Sequence, residues 1–165
     1  MEENVITLRT ITPNSLGELA ELLRNDIVNQ TYMIPDLTQE EAIALAQKIA
    51  LRSEDPSRYV RGVYLDDTLI GMLNDVATEN GTVELGWALH PRYYNRGYAT
   101  QAVQLAIEEL FAKGFTTVEA GAFPDNAASL RVMEKAGMKR IDKTEEVTYR
   151  GVTYHCIFCA IERAV

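Results

Sequence analysis

The sequence predicts an α/β chain of the α+β kind, in which helices flank a mostly antiparallel sheet of six to seven strands. Residues 59–65, 69–77 and 82–89 carry strand patterning and are joined by short turns at Asp66-Asp67 and Asn80-Gly81, which describes an antiparallel meander. The period then switches to helix at 100–111, back to strand at 116–123, and to helix again at 126–135. Two strands near 138–148 and 152–161 follow, so the order is meander, helix, strand, helix, strands.

The elements before the meander read as a strand and two helices. Val5 to Thr10 is a short β-branched run ended by Thr12-Pro13, and Ser15 is placed to cap a helix reaching Arg24. Residues 25–37, which include Tyr32, Met33 and Pro35, are expected to be irregular. Thr38 with Glu41 three residues later forms a capping box, and Ile43, Ala46, Ile49 and Ala50 recur at helical spacing toward Ser53. Further along, Val103, Ile107, Leu110 and Phe111 make an apolar stripe that Gly114 stops, and Gly137 stops the last helix. No internal repeat or low-complexity linker interrupts the 165 residues, so residues 1–165 are expected to form a single domain.

The totals exclude several function classes. With 16 basic against 24 acidic residues the net charge is −8, which disfavours nucleic acid and anionic membrane as partners. No run approaches the ~18 apolar residues of a membrane span, and the N-terminus lacks the basic and apolar regions of a secretory signal. A soluble, cytoplasmic protein is expected. The two cysteines spell CxxC at 156 and 159. Strand alternation puts Cys156 on the face of Val152, Tyr154, Phe158 and Ala160 and Cys159 on the other, so ordinary packing is expected and no metal.

One local feature asks for a ligand. In "HPRYYNRGYATQAV", residues 90–103, a strand ending at Leu89 is followed by the turn Arg96-Gly97-Tyr98-Ala99 and the start of a helix. Helix-entry amides have no intrahelical acceptors and sit at the positive end of the dipole, so they suit an anion. Gly97 lets a ligand approach the backbone, and Arg96 can screen phosphate charge. A second strand-to-helix junction follows in "PDNAASLRVMEKAGMKR", with Asn126 at the cap and Ser129 in the first turn.

Together "YYNRGYATQAV" and "NAASLRVMEKAGM" resemble the acyl-CoA motif and the following helix motif of the GNAT acetyltransferase superfamily. The similarity is nearest to the branch of ribosomal-protein N-terminal alanine and serine acetyltransferases, and "VELGWALHP" resembles that branch's central strand. The resemblance implies a mixed sheet splayed between the fourth and fifth strands, the GNAT fold, with acetyl-CoA in the split as cosubstrate. It implies that the backbone of Arg96, Gly97, Tyr98, Ala99 and Thr100 binds the pyrophosphate. Ala88 and Leu89 would hydrogen-bond the pantetheine, and Asn126 and Ser129 would contact the pantetheine and the sulfur end. Dimerisation is common in the family, which leaves a homodimer open. Tyr94 and Gln101 depart from the family's usual residues without removing backbone donors. Met133 stands where many members have a tyrosine that acts as general acid.

The implied reaction moves an acetyl group from the thioester to a primary amine by direct attack. The Leu89 amide is the candidate oxyanion donor, since donors aimed at developing charge in a dry site are worth a few kcal/mol. Ser129 is the candidate to hydrogen-bond the departing thiolate, or else it serves helix entry alone. Glu84, on the fourth strand near the split, is the candidate base, against the reading of an exposed strand carboxylate. His90 is a rival, because histidine titrates near neutrality. The resemblance implies acceptor contacts from about residues 25–40 and 145–155; Tyr149, Tyr154 and His155 on the last hairpin are candidates to border the acceptor, against the reading of core side chains. An ordinary α-amino group is about a tenth neutral at pH 7 and a lysine under about a thousandth, so a modest base suits a peptide N-terminus or a perturbed small amine. The competing expectation is a non-catalytic acyl-CoA-binding or sensing module, which the missing tyrosine allows.

Overall fold

Asn80 and Gly81 both take positive φ, 49° and 82°, and Arg150 with Gly151 repeats the pattern at 50° and 78°. Two consecutive residues of that kind make the two-residue turn whose twist matches antiparallel strands, and only a glycine adopts such a φ at little cost. The computed structural model describes residues 5–164, so the first four residues, on which the reading of the N-terminus partly rests, and Val165 lie outside the described residues. In chain order the elements are β1 (Ile6–Arg9), α1 (Leu16–Arg24), α2 (Asp26–Tyr32), α3 (Gln39–Ser53), β2 (Val60–Leu65), β3 (Thr68–Glu79) and β4 (Thr82–Leu89). They continue with α4 (Tyr98–Ala112), β5 (Thr117–Ala122), α5 (Ala127–Lys135), β6 (Lys139–Tyr149) and β7 (Val152–Glu162).

The strands hydrogen-bond as one seven-stranded sheet in the order β1-β2-β3-β4-β5-β7-β6. Pairing is antiparallel between β1 and β2, β2 and β3, β5 and β7, and β6 and β7, while β4 and β5 run parallel. The mixed, mostly antiparallel sheet expected from the sequence is present. The β4–β5 register runs from Thr82 opposite Thr117 to Glu84 opposite Glu119, whereas β4 continues to Leu89 and β5 to Ala122.

The chain packs as two compact units, one made of the residues up to Asn74 with Trp87–Ala102, the other of Asp75–Gly86 with the residues from Val103 on. In the first, Leu19, Leu22 and Leu23 of α1 and Ala42, Ala46 and Ile49 of α3 share a core with strand residues such as Val60, Met72 and Ala88. The capping box forms as expected: the Glu41 amide donates to Thr38 Oγ1 at 3.2 Å and the Thr38 amide to Glu41 Oε1 at 2.9 Å.

Three expectations are corrected in this unit. Ser15 is the N-cap residue of α1 as expected, but its side chain makes no capping hydrogen bond; it also ends a 3₁₀ turn, Pro13–Ser15, and its buried hydroxyl accepts from the Tyr64 hydroxyl at 2.9 Å. Residues 25–37 are not all irregular. Asn25 Oδ1 accepts from the Ile27 and Val28 amides at 3.0 and 3.3 Å and starts α2, which ends at Met33 with φ 57°. A seven-residue helix with only Val28 and Asn29 buried shows no apolar stripe, so its cap was its one sequence signal. Ile43, placed on the apolar stripe of α3, is exposed instead, because the buried face runs through Ala42, Ala46, Ile49 and Ser53.

In the second unit, Val103, Ile107 and Leu110 of α4 are buried as the stripe predicts, and Phe111 is half-buried. Gly137, at φ 92°, ends α5, and the Met138 amide closes that end on the Met133 carbonyl at 2.9 Å. A separate cluster gathers Phe123, Cys156 and Phe158, with Ile141, Val147, Tyr149 and Tyr154 packed on it. A Cβ at Gly121 would stand 2.7 Å from the Phe158 ring, so the absence of a side chain lets that ring lie against β5. Cys156 and Cys159 are free and buried, and they face Glu145 and Arg140 of β6 respectively. An odd separation along β7 turns the two thiols to opposite faces.

Candidate active site

The end of β4 and the start of α4 lie in the first unit. Gly97 has φ 78°, and nothing lies within 4 Å of where its Cβ would be, so the space beside its backbone is open to a ligand. The Gly97 carbonyl accepts from the Gln101 amide at 3.1 Å, which makes Gly97 the cap of α4. The amides of Tyr98, Ala99 and Thr100 then fall in the first turn, where the helix offers no acceptors. Tyr98 buries its side chain, Ala99 and Thr100 are half-buried, and Arg96 is exposed beside them. These residues suit a phosphate group: the first-turn amides and the helix dipole lie beside the open backbone of Gly97.

The strand leading into this turn is equally ordered. Ala88 and Leu89 are buried, and the His90 amide donates to the Ile70 carbonyl of β3 at 2.8 Å. Successive amides of an extended strand point to opposite edges, so the Leu89 amide points away from β3. Only that orientation leaves it available to a bound carbonyl or pantetheine. Close packing fixes it: a Cβ at Gly71 would collide with the Ala88 carbonyl oxygen and lie 3.2 Å from Leu89 Cα.

The His90 Nδ1 accepts from the Arg92 amide at 3.1 Å, and its Nε2 lies 3.5 Å from Glu21 Oε1. The Arg92 contact holds the imidazole at the end of β4 with Glu21 beside its Nε2. A cavity of about 550 Å³ opens here, lined by Gly17, Glu21, Arg24, Asp26, Gln39 and His90 among others. The apolar position Ile43, exposed on α3, also lines it.

In the second unit Glu84 is half-buried and not simply an exposed strand carboxylate. Burial, then the charge of Glu145, pushes its carboxyl above the ordinary range, with Lys143 pulling the other way and Glu119 adding to the rise. Glu119 is Glu84's partner across the parallel pair, and its Oε1 lies 2.6 Å from Lys143 Nζ. Sequence reading missed Glu119, Lys143 and Glu145, because they reach Glu84 only through strand register.

Asn126 caps α5, its Oδ1 accepting from the Ser129 amide at 3.2 Å, and the Ser129 side chain is half-buried in that first turn. Met133 is wholly buried, a core side chain of α5. On the last hairpin, Tyr154 stacks on Phe123 at 4.1 Å between centroids and Tyr149 stands 6.4 Å from the same ring. His155 alternates to the opposite face, 3.6 Å from Glu146, so it does not join the tyrosines. Among the described residues no group of three or more His, Cys, Asp or Glu is arranged to hold a metal, and no helix is long and apolar enough to cross a membrane.

Known proteins agree with this architecture. The family described as the acetyltransferase (GNAT) domain matches residues 6–139. An uncharacterized N-acetyltransferase of Bacillus subtilis, YoaA, is 25% identical over 159 residues, which cover 93% of this chain and 90% of that protein. Among solved structures, a GNAT-family acetyltransferase from Bacillus anthracis superposes with a TM-score of 0.82 at 23% identity, covering 95% of this chain and 94% of that one. The RimL ribosomal L7/L12 α-N-protein acetyltransferase, solved with coenzyme A, gives 0.82 at 17% identity over 97% and 95% of the two chains. With the family matching most of its length and this fold beneath it, the chain belongs to the GNAT acetyltransferases and is an acetyltransferase enzyme.

Proposed function

We propose that this enzyme, acting over residues 1–165 as a single domain, transfers acetyl from acetyl-CoA to a primary amine by direct attack. The observation that carries the reading is the turn into α4, where Gly97 leaves open space beside the backbone at a helix N-terminus. In this reading the amides of Arg96, Gly97, Tyr98, Ala99 and Thr100 hold the pyrophosphate. Ala88 and Leu89 hydrogen-bond the pantetheine, and the Leu89 amide stabilises the developing oxyanion. Asn126 and Ser129 serve the pantetheine and sulfur end, with the Ser129 hydroxyl donating to the thiolate that leaves.

Glu84 takes the proton from the amine. Its raised carboxyl supports this role, since a base is most effective when its pKa approaches the working pH. The α-amine of a peptide is the first acceptor to test, because it needs the least help to become neutral. A relative of the same fold is named as acting on a ribosomal protein's α-amine, and small amines are the second class.

The test is calorimetric titration with acetyl-CoA, followed on the same preparation by thiol release across peptides of varied N-terminus and small amines. Micromolar binding with release of CoA is expected, and Gly97→Glu should abolish both by placing a carboxylate at the phosphate position. Binding without release on any amine, or unchanged binding by Gly97→Glu, would overturn the proposal.

A further inference from the structure

We propose that Lys143 is a positioning residue for the transfer, its ammonium anchored on Glu119 and laid over Phe158 so that Glu84 remains ionisable among the carboxylates around it. The inference rests on the reading of Glu84 as base. Geometry carries it. Glu84 on β4 and Glu119 on β5 are direct partners in a parallel pair, so their side chains leave the same face of the sheet. Glu119 in turn faces Ala160, Gly121 faces Phe158, and Glu145 faces Cys156, which puts all of these side chains on that one face.

Lys143 arrives over this face from an irregular stretch of β6. The β6–β7 register shifts between Arg140 and Thr144, and Lys143 lies inside the shift. A bulged residue is re-aimed relative to a regular strand, and here Nζ reaches Glu119 Oε1 at 2.6 Å and stands 4.6 Å from the centre of the Phe158 ring. The ring is held in turn by its close approach to Gly121. The cation is thus fixed by a hydrogen bond, an aromatic face and a glycine, rather than by a flexible stem alone.

The charges around Glu84 can be named element by element. Glu119 comes from β5, Lys143 and Glu145 from β6, and Cys156 from β7; the titratable residues of β3, Asp75 and Glu79, are not among the charges that shift it. Cys156 is held in its neutral thiol form by burial, then by Glu145 and Glu84, so it adds no charge at neutral pH. Lys143 is pushed up, first by its hydrogen bond to Glu119, and stays protonated. Three carboxylates therefore share one ammonium. Without it, Glu84 would hold its proton to higher pH, and the pH at which it becomes available as base would rise.

The experiment is a ¹³C NMR titration of the Glu84 carboxyl in the full chain, the signal assigned by its loss in Glu84→Gln. Wild type is compared with Lys143→Met, Lys143→Arg and Glu145→Gln. Lys143→Met should raise the midpoint by about half a pH unit or more, and Glu145→Gln should lower it by a similar amount. Lys143→Arg should bring it back near wild type. Disturbed packing alone would not move one group in opposite directions. Midpoints equal to wild type in both Lys143→Met and Glu145→Gln would overturn the inference; Glu145 is exposed, so the second variant should fold even if the first does not. Thiol release with a peptide α-amine is run beside it, the acid limb of kcat/KM expected to follow the NMR midpoints. Full turnover by Glu84→Gln would instead sink the base reading while the NMR shifts still report on Lys143.

Discussion

Gly71→Ala should damage stability and cofactor binding together, and the structure supplies the size of the effect. The new methyl would meet the Ala88 carbonyl oxygen, with Leu89 Cδ1 at 3.0 Å and Leu89 Cα at 3.2 Å. Backbone cannot swing aside as the tip of a side chain can, so β3 must separate locally from the end of β4. Overpacking of this kind costs about 1–3 kcal/mol, and the reduced freedom of the unfolded chain returns about 0.4–1. For a chain of 165 residues a kcal/mol moves the melting temperature by about 2–4 °C, so a net loss near 1.5 kcal/mol lowers it by about 3–6 °C. The same displacement moves the Leu89 amide, and acetyl-CoA should bind at least about tenfold more weakly, roughly 1.4 kcal/mol. Gly17→Ala is the control. It lies in α1 with nothing within 4 Å of its added Cβ, and alanine there should gain about 0.5–1 kcal/mol. Differential scanning calorimetry and acetyl-CoA titration read both variants. If Gly71→Ala melts at or above wild type, the argument from close approach is wrong.

Further outcomes follow from individual burials and charges. Glu84→Gln should reduce kcat by about 10²–10⁴ while leaving acetyl-CoA affinity within about twofold. Because the folded-state carboxyl of Glu84 is raised, its ionisation opposes folding; the penalty is absent below the unfolded value and complete above the folded one. Glu84→Gln should accordingly match wild-type stability near pH 4 and exceed it at pH 8, as denaturant melts at the two pH values will show. Met133→Tyr places a larger side chain and a hydroxyl where no surface is exposed, so it should lose about 1–3 kcal/mol by the same melts and gain no turnover. Both thiols are pushed up chiefly by burial, and their reaction with a disulfide reagent at pH 7 should be at least about tenfold slower in buffer than in urea.

What could be read without coordinates was whatever depends on neighbours in sequence. The Thr38–Glu41 capping box, the glycines that end α4 and α5, and the turn at Asn80-Gly81 are each closed by residues a few positions apart. The turn at Gly97 belongs with them. Errors fell where tertiary packing decides. Ile43 and Ala42 are adjacent in sequence, and only the surface that α3 meets selects Ala42 for the core. Ser15 stands at the N-cap of α1, but its hydroxyl pairs with Tyr64, 49 residues away. The surroundings of Glu84 were invisible for the same reason, since Glu119 and Lys143 come beside it through the β4–β5 register and a bulge, neither of which is written in local periodicity.

The bulge in β6 also bears on how the protein behaves in a crowded solution. As the last strand in the sheet order, β6 presents eleven residues along an open edge, a length that invites another chain to add as the next strand. Its segment KRIDKTEEVTY resists that invitation twice, by charged side chains along the edge and by a register break that bends the backbone out of the regular ladder. At the opposite edge β1 spans only four residues, too short to template much. Straightening β6 by removing the two extra residues between Arg140 and Thr144 would therefore leave a longer uninterrupted edge, prone to chain-to-chain sheet extension and aggregation. The irregularity that aims Lys143 also interrupts the ladder that an added strand would extend.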